Sequence, residues 1–244
     1  MTTYVLVHGA WGGSYGWTAF ANLLRADGHN VFTPSLTGLG ERTHLGGPDV
    51  NLSTHVTDVE NVFKYEGLSD VVLVGHSYGG MVVTGVAGRV PQLIGHLVYS
   101  DAFLPRDGQS CFDLGGAGGR EKASIDGWKV ASMGPTIENP TPEQARQAAL
   151  RSPQPLGTLS EGVRLSVPLE ERAFTRTYLK AAGGASNDLS RTGHFWDASV
   201  RVKDDPRWRY YEFPCGHGMH RELPNEMRAA YYEIAGLRSG ASVG

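Results

Sequence analysis

The sequence predicts an α/β protein built on a mostly parallel sheet with helices on both faces. Short apolar runs such as "TYVLVHG", "DVVLVG" and "IGHLVYSDAFLP" are continuous rather than alternating, as in strands buried on both sides. Between them lie amphipathic stretches at helical spacing, the order expected of βαβ units. The 244 residues, 40% hydrophobic and 19% charged, form an ordinary globular composition that one domain can accommodate.

The elements follow in order. "TYVLVHG" is a strand ended by glycine, and "WTAFANLLRADGHN" is a helix with Gly28 as its stop. "NVFTPSLTG" is the next strand, closed by Pro34 and the turn-rich "TGLGER". "STHVTDVENVFKYEG" opens on Ser53 as N-cap, sets Val56, Val59, Val62 and Phe63 along one face, and closes at Gly67. "DVVLVG" is a strand, "MVVTGVAGRVP" a helix, and "IGHLVYSDAFLP" a strand ending near Asp101.

From Arg106 to about Glu171 glycine clusters, prolines and short helical patches break the pattern over a stretch too long for a simple loop. It reads as a cap inserted into a single domain spanning 1–244. The sheet resumes at "FTRTYLKAA" and "WRYYEFP". The helix "PNEMRAAYYEIAGL" follows, with Pro224 at its first position, and then a tail expected to fray. No internal repeat is visible.

A net charge of −3, with no Lys/Arg tract, argues against nucleic acid as a partner. No run approaches roughly 18 apolar residues and the N-terminus lacks a signal-peptide pattern, so the expectation is a cytoplasmic protein without a membrane partner. Cys111 and Cys215 stand in unrelated contexts, which favours reduced, packed thiols over a disulfide or metal site. The glycines match neither a dinucleotide fingerprint nor a phosphate-binding loop.

The chemistry concentrates at "VGHSYGG". A G-x-S-x-G pattern between a strand and a helix forces the serine into a strained turn with its hydroxyl above the sheet. The helix N-terminus beneath it offers unpaired N–H groups. Ser77 is therefore the candidate nucleophile, a buried serine in a glycine-rich turn being the plainer alternative. A serine hydroxyl needs a base, and among nine histidines His217 lies in the loop between the last strand and the last helix, at the sheet edge where ligands bind.

His220 has no third or fourth ligand to make a metal pair and reads as a packing residue. His76 is expected to pack under the turn. His55, His96 and His194 are expected to be structural, in helix, strand and loop settings without a partner. For the carboxylate that orients the imidazole, Asp101, Asp188 and Asp197 are candidates, with Asp101 preferred because a strand end is a rigid support. Two amides, Ala10 after the first strand and Tyr78 at the helix start, are the candidate oxyanion donors, each worth about 3 kcal/mol of barrier. Trp11, Phe103 and Trp128 are candidate substrate-binding aromatics, with Tyr15 and Tyr78 as further pocket candidates.

Together "VLVHGAWGG", "GHSYGG" and "GHGMHRELP" resemble the alpha/beta-hydrolase superfamily over nearly the whole chain except the cap. "HGAWGGSYGW" and "TPSLTGLGER" look like its plant methylesterase and hydroxynitrile lyase branch and bacterial esterase relatives. The resemblance implies an eight-stranded, mostly parallel sheet with a small helical cap. It also implies a Ser-His-Asp machinery without metal or organic cofactor. Two departures stand out. Where the plant branch carries its acid, after "RTYLKAAGG", this chain has only Ala181, Ala182, Gly183 and Gly184, which shifts the acid role toward Asp101. Gly9 and Gly218 replace the threonine and lysine of the lyases, so cleavage of a small, possibly aromatic, carboxylic ester is favoured over cyanohydrin cleavage. A lactonase, a lyase-like activity and a ligand-binding module without catalysis are the competing readings. A homodimer is left open.

Overall fold

The computed structural model describes residues 1–115, 124–132, 139–183 and 193–236. In the first part of the chain β1 (Thr3–Val7), α1 (Thr18–Ala26), β2 (Asn30–Phe32), α2 (Leu52–Tyr65), β3 (Val71–His76), α3 (Gly79–Arg89) and β4 (Ile94–Ser100) alternate as the sequence predicts. The segment that follows carries α4 (Cys111–Gly115), β5 (Ser124–Ile125), β6 (Lys129–Val130), α5 (Pro142–Ala149), β7 (Gln154–Pro155) and α6 (Leu156–Ser160). The sheet then resumes with β8 (Thr175–Ala181), α7 (His194–Lys203) and β9 (Arg209–Phe213), and α8 (Met219–Glu222) and α9 (Pro224–Ile234) follow.

The main sheet has six described strands in the order β2-β1-β3-β4-β8-β9, and every pairing is parallel. The eight strands implied by the resemblance are therefore not seen among the described residues. β2, only three residues long ahead of Pro34, forms one edge and β9 the other. The segment between β4 and β8, expected to be helical, also carries strands: β5, β6 and β7 form a small antiparallel sheet beside its short helices.

Alternation along the strands explains the two cores. Val5, Val7, Leu73, Leu97 and Tyr99 face α2 and α3 in one cluster. Tyr4, Leu6, Val72, Val74 and Val98 face α1 and α9 in the other. Each of the Val and Leu side chains among them, removed from water, contributes about 1.5–3 kcal/mol before chain entropy is counted.

α2 starts two residues earlier than its sequence reading. Asn51, not Ser53, is the N-cap: its side chain accepts from the Thr54 amide at 3.0 Å, while Thr54 Oγ1 accepts from the Asn51 amide at 3.3 Å. Ser53 lies inside the helix, where its amide and hydroxyl both donate to Glu161 of the cap at 2.7 Å. Both residue types suit a helix N-cap, so local sequence does not separate them. Among the described residues no helix is long and apolar enough to cross a membrane.

Candidate active site

The elbow is built by close backbone approach. A Cβ at Gly75 would sit 2.6 Å from the Gly79 carbonyl oxygen, and one at Gly79 would sit 2.7 Å from that of Val7. Only glycines let β3 turn into α3 this tightly. Ser77 carries the strain, with φ of 55°. Its amide donates to the Ser100 carbonyl at 3.4 Å and its carbonyl accepts from Phe103 at 3.1 Å, so the exit of β4 holds the turn from the side.

Asp101 follows β4 directly, with φ of 43°, and is 3% exposed. His217 lies in the loop after β9, and its Nδ1–H donates to Asp101 Oδ2 at 2.7 Å. With Nδ1 given to Asp101, Nε2 is the ring nitrogen left to act as a base. Burial pushes the Asp101 carboxyl up, but His217 and the Lys180 ammonium outweigh it and hold the group below its ordinary value. The carboxylate stays ionised.

His76 links this pair to the elbow. Its Nε2–H donates to the His217 carbonyl at 2.9 Å and the two rings lie 4.5 Å apart. Burial keeps the His76 imidazole well below its usual value and therefore neutral. His220 packs at 4.0 Å from the Trp17 ring and donates from Nε2 to the Gly16 carbonyl at 3.1 Å, and burial lowers it to about 3.

The first loop faces the elbow so closely that a Cβ at Gly9 would stand 2.9 Å from Ser77 Cβ. His8 fixes this loop: its Nδ1–H donates to the Gly9 carbonyl at 2.8 Å and its Nε2 accepts from the Leu36 amide at 3.2 Å. Among the described residues no protein acceptor takes the Ala10 or the Tyr78 amide hydrogen, which leaves two backbone donors beside Ser77.

The other candidates are distributed differently. Trp11, with φ of 60°, is gripped by the cap: its amide donates to Gln154 Oε1 at 2.9 Å, its indole to the Val130 carbonyl at 3.2 Å, and its carbonyl accepts from Ser152. Phe103 is buried and stacks at 4.2 Å on His194, which opens α7 rather than sitting in a loop. The Phe195 ring stacks 4.9 Å from His217. Trp128 stands in the cap hairpin under the Lys129 ammonium, 4.5 Å away. Tyr78 is fully buried and its phenol donates to His55 Nδ1 at 2.9 Å, so its side chain does not line an open pocket.

Three histidines expected to lack a partner have one. His55 also donates from Nε2 to the Thr37 carbonyl, His96 contacts Thr175 Oγ1, and His194 has the Phe103 ring. Of the other acid candidates, Asp197 is exposed in the first turn of α7, and Asp188 lies outside the described residues. Cys111 and Cys215 are free and buried, and burial pushes their thiols up to about 12 and about 11.

Sequence reasoning missed Lys180 and Gln154. Lys180, flanked by Tyr178, Leu179, Ala181 and Ala182 in a stretch read as a sheet strand, was a usable signal, because a charge in a strand buried on both faces needs a counter-ion. Gln154 left no comparable trace.

A glycine-framed serine elbow at the end of a central parallel strand, with a carboxylate-bound histidine behind it, defines a class of protein. Residues 4–230 match the model of the Alpha/beta hydrolase family, and the chain belongs to that family. It is 36% identical over 245 residues to the carbendazim hydrolyzing esterase of Nocardioides sp. (strain SG-4G), covering 93% of this chain and 97% of the relative. It is 25% identical over 251 residues to methylesterase 1 of Arabidopsis thaliana, covering 92% and 89%. Among solved structures, an extracellular alpha/beta-hydrolase from a Paenibacillus species superposes with a TM-score of 0.76 at 24% identity, covering 96% of this chain and 99% of that one. That likeness is one of fold.

Proposed function

We propose that the chain is a carboxylesterase-type serine hydrolase acting on small esters. The observation that carries this reading is the His217–Asp101 hydrogen bond of 2.7 Å behind the Ser77 elbow. His217 Nε2 takes the proton of Ser77 Oγ as the oxygen attacks the ester carbonyl. The amides of Ala10 and Tyr78 hold the resulting oxyanion, and Asp101 stabilises the imidazolium. The proton passes to the leaving alcohol, and water activated by the same imidazole then releases the acid. Each step uses only protein groups and water, so the chemistry asks for neither metal nor organic cofactor.

An esterase and a methylesterase among the relatives support an ester as substrate. Gly218 gives no ammonium beside His217 to hold a departing cyanide. Arg221, whose guanidinium would lie 3.0 Å from a Cβ there, is instead tied to Gln147 of the cap. We read residues 106–171 as a cap over a single domain, with Trp11, Phe103 and Trp128 at its boundary with the substrate. The buried free thiols support a reducing, cytoplasmic setting. Ser77→Ala is expected to abolish turnover of a p-nitrophenyl ester while circular dichroism stays unchanged. Retained turnover would reject the assignment.

A further inference from the structure

Lys180 is 1% exposed in β8, in a chain stretch otherwise committed to the core. The acid opposite it in register is Glu212 of β9, yet the Lys180 ammonium bonds elsewhere. Nζ donates to Asp101 Oδ1 at 2.7 Å and to the Ala181 carbonyl at 2.8 Å. The Ala181 amide adds a second donor to the same Oδ1 at 3.3 Å. Oδ1 is thus occupied by β8, and Oδ2 is the oxygen left to receive His217. Glu212 is engaged by Lys203 and by the Tyr210 hydroxyl.

We propose that Lys180 is a positioning residue of the catalytic row, resting on the serine-hydrolase reading above: it orients Asp101 with Oδ2 toward His217 and offsets the carboxylate charge that the imidazole feels. Two consequences follow from electrostatics. The carboxylate is kept ionised in a buried place. The charge that the imidazole faces across Oδ2 is a carboxylate partly balanced by the ammonium on Oδ1.

The titratable and charged groups facing this row do not interfere. His76 at the end of β3 is held well below its usual value by burial, and burial brings His194 of α7 to about 4 and His220 of α8 to about 3. Burial pushes Cys215 up to about 11 and raises Tyr178 well above its usual value. Glu212 is lowered by Tyr210 and Lys203, and Arg221 is bound to Gln147. These neighbours are the same in wild type and in every Lys180 variant, so a displacement of the acidic limb between them reports the change at Lys180.

The test follows the rate of Ser77 phosphonylation by a fluorophosphonate against pH. In that step Oγ bonds to phosphorus, fluoride leaves and His217 accepts the proton. Lys180→Met removes the charge, Lys180→Gln keeps a donor without charge, and Lys180→Arg keeps the charge. The expected result is an acidic limb displaced upward by about one pH unit in the Met and Gln variants and unmoved in the Arg variant, with the alkaline plateau within about 10-fold of wild type. A limb that stays in place in the neutral variants, or moves alike in all three, overturns the proposal. Failure of both neutral variants to fold also overturns it, by making Lys180 a counter-ion of the fold. A wild-type protein whose Ser77 is not labelled rejects the hydrolase reading and takes this proposal with it.

Discussion

The decisive residues act through short, directed contacts. Asp101 serves two partners with two oxygens, Lys180 on Oδ1 and His217 on Oδ2, each at 2.7 Å. Asp101→Asn should lower kcat by about 10⁴-fold, because the amide cannot fix the imidazole tautomer. Asp188→Asn should leave kcat within about 10-fold, and a reversal of these two results would move the acid role to Asp188. The Asn variant should also lose stability by about 3–5 kcal/mol, since it strands the buried Lys180 ammonium. Ser77, His217 and Asp101 were readable as candidates because strand ends and glycine turns mark them in the sequence. Lys180 was legible only as an anomaly, and its partner could not be named, since pairing across β4 and β8 joins residues far apart in the chain.

At the scale of elements, the segment between β4 and β8 is fastened to both the first loop and α2. Gln154 of β7 receives the Trp11 amide and donates to Thr158, so the loop that carries Ala10 depends on a cap side chain. α2 presents His55 to the Tyr78 hydroxyl beneath the elbow. Its N-terminus is closed by the reciprocal Asn51–Thr54 bonds. Asn51→Ala should reduce unfolding free energy by about 1 kcal/mol, read from the urea midpoint at unchanged slope. Helix and strand identities were legible because apolar spacing has a definite period. The elements within residues 106–171 were not, because they are too short to show one.

For the whole molecule, burial of neutral histidines ties stability to pH. His55 and His220 are lowered to about 3 and His194 to about 4, and His8 and His76 are lowered as well. In the unfolded chain each protonates near 6.5. Between about pH 6.5 and 3 the unfolded state therefore binds more protons, and unfolding free energy falls as pH falls. Asp101, also lowered, acts in the same direction at more acidic pH. The urea midpoint should drop between pH 7 and pH 5 by the equivalent of at least about 2 kcal/mol. An unchanged midpoint would mean that these imidazoles already accept protons in the folded state.

Local sequence alone determined the alternation of strand and helix, the serine elbow and the loop that carries His217. Each rests on spacing and turn chemistry within a few residues. Tertiary structure decided which carboxylate meets His217 among the described residues, that a lysine stands behind it, that the main sheet has six described strands, and that cap side chains hold the first loop. Those outcomes depend on which strands become neighbours and which side chains they bring into contact, and hydrophobic period carries no record of that.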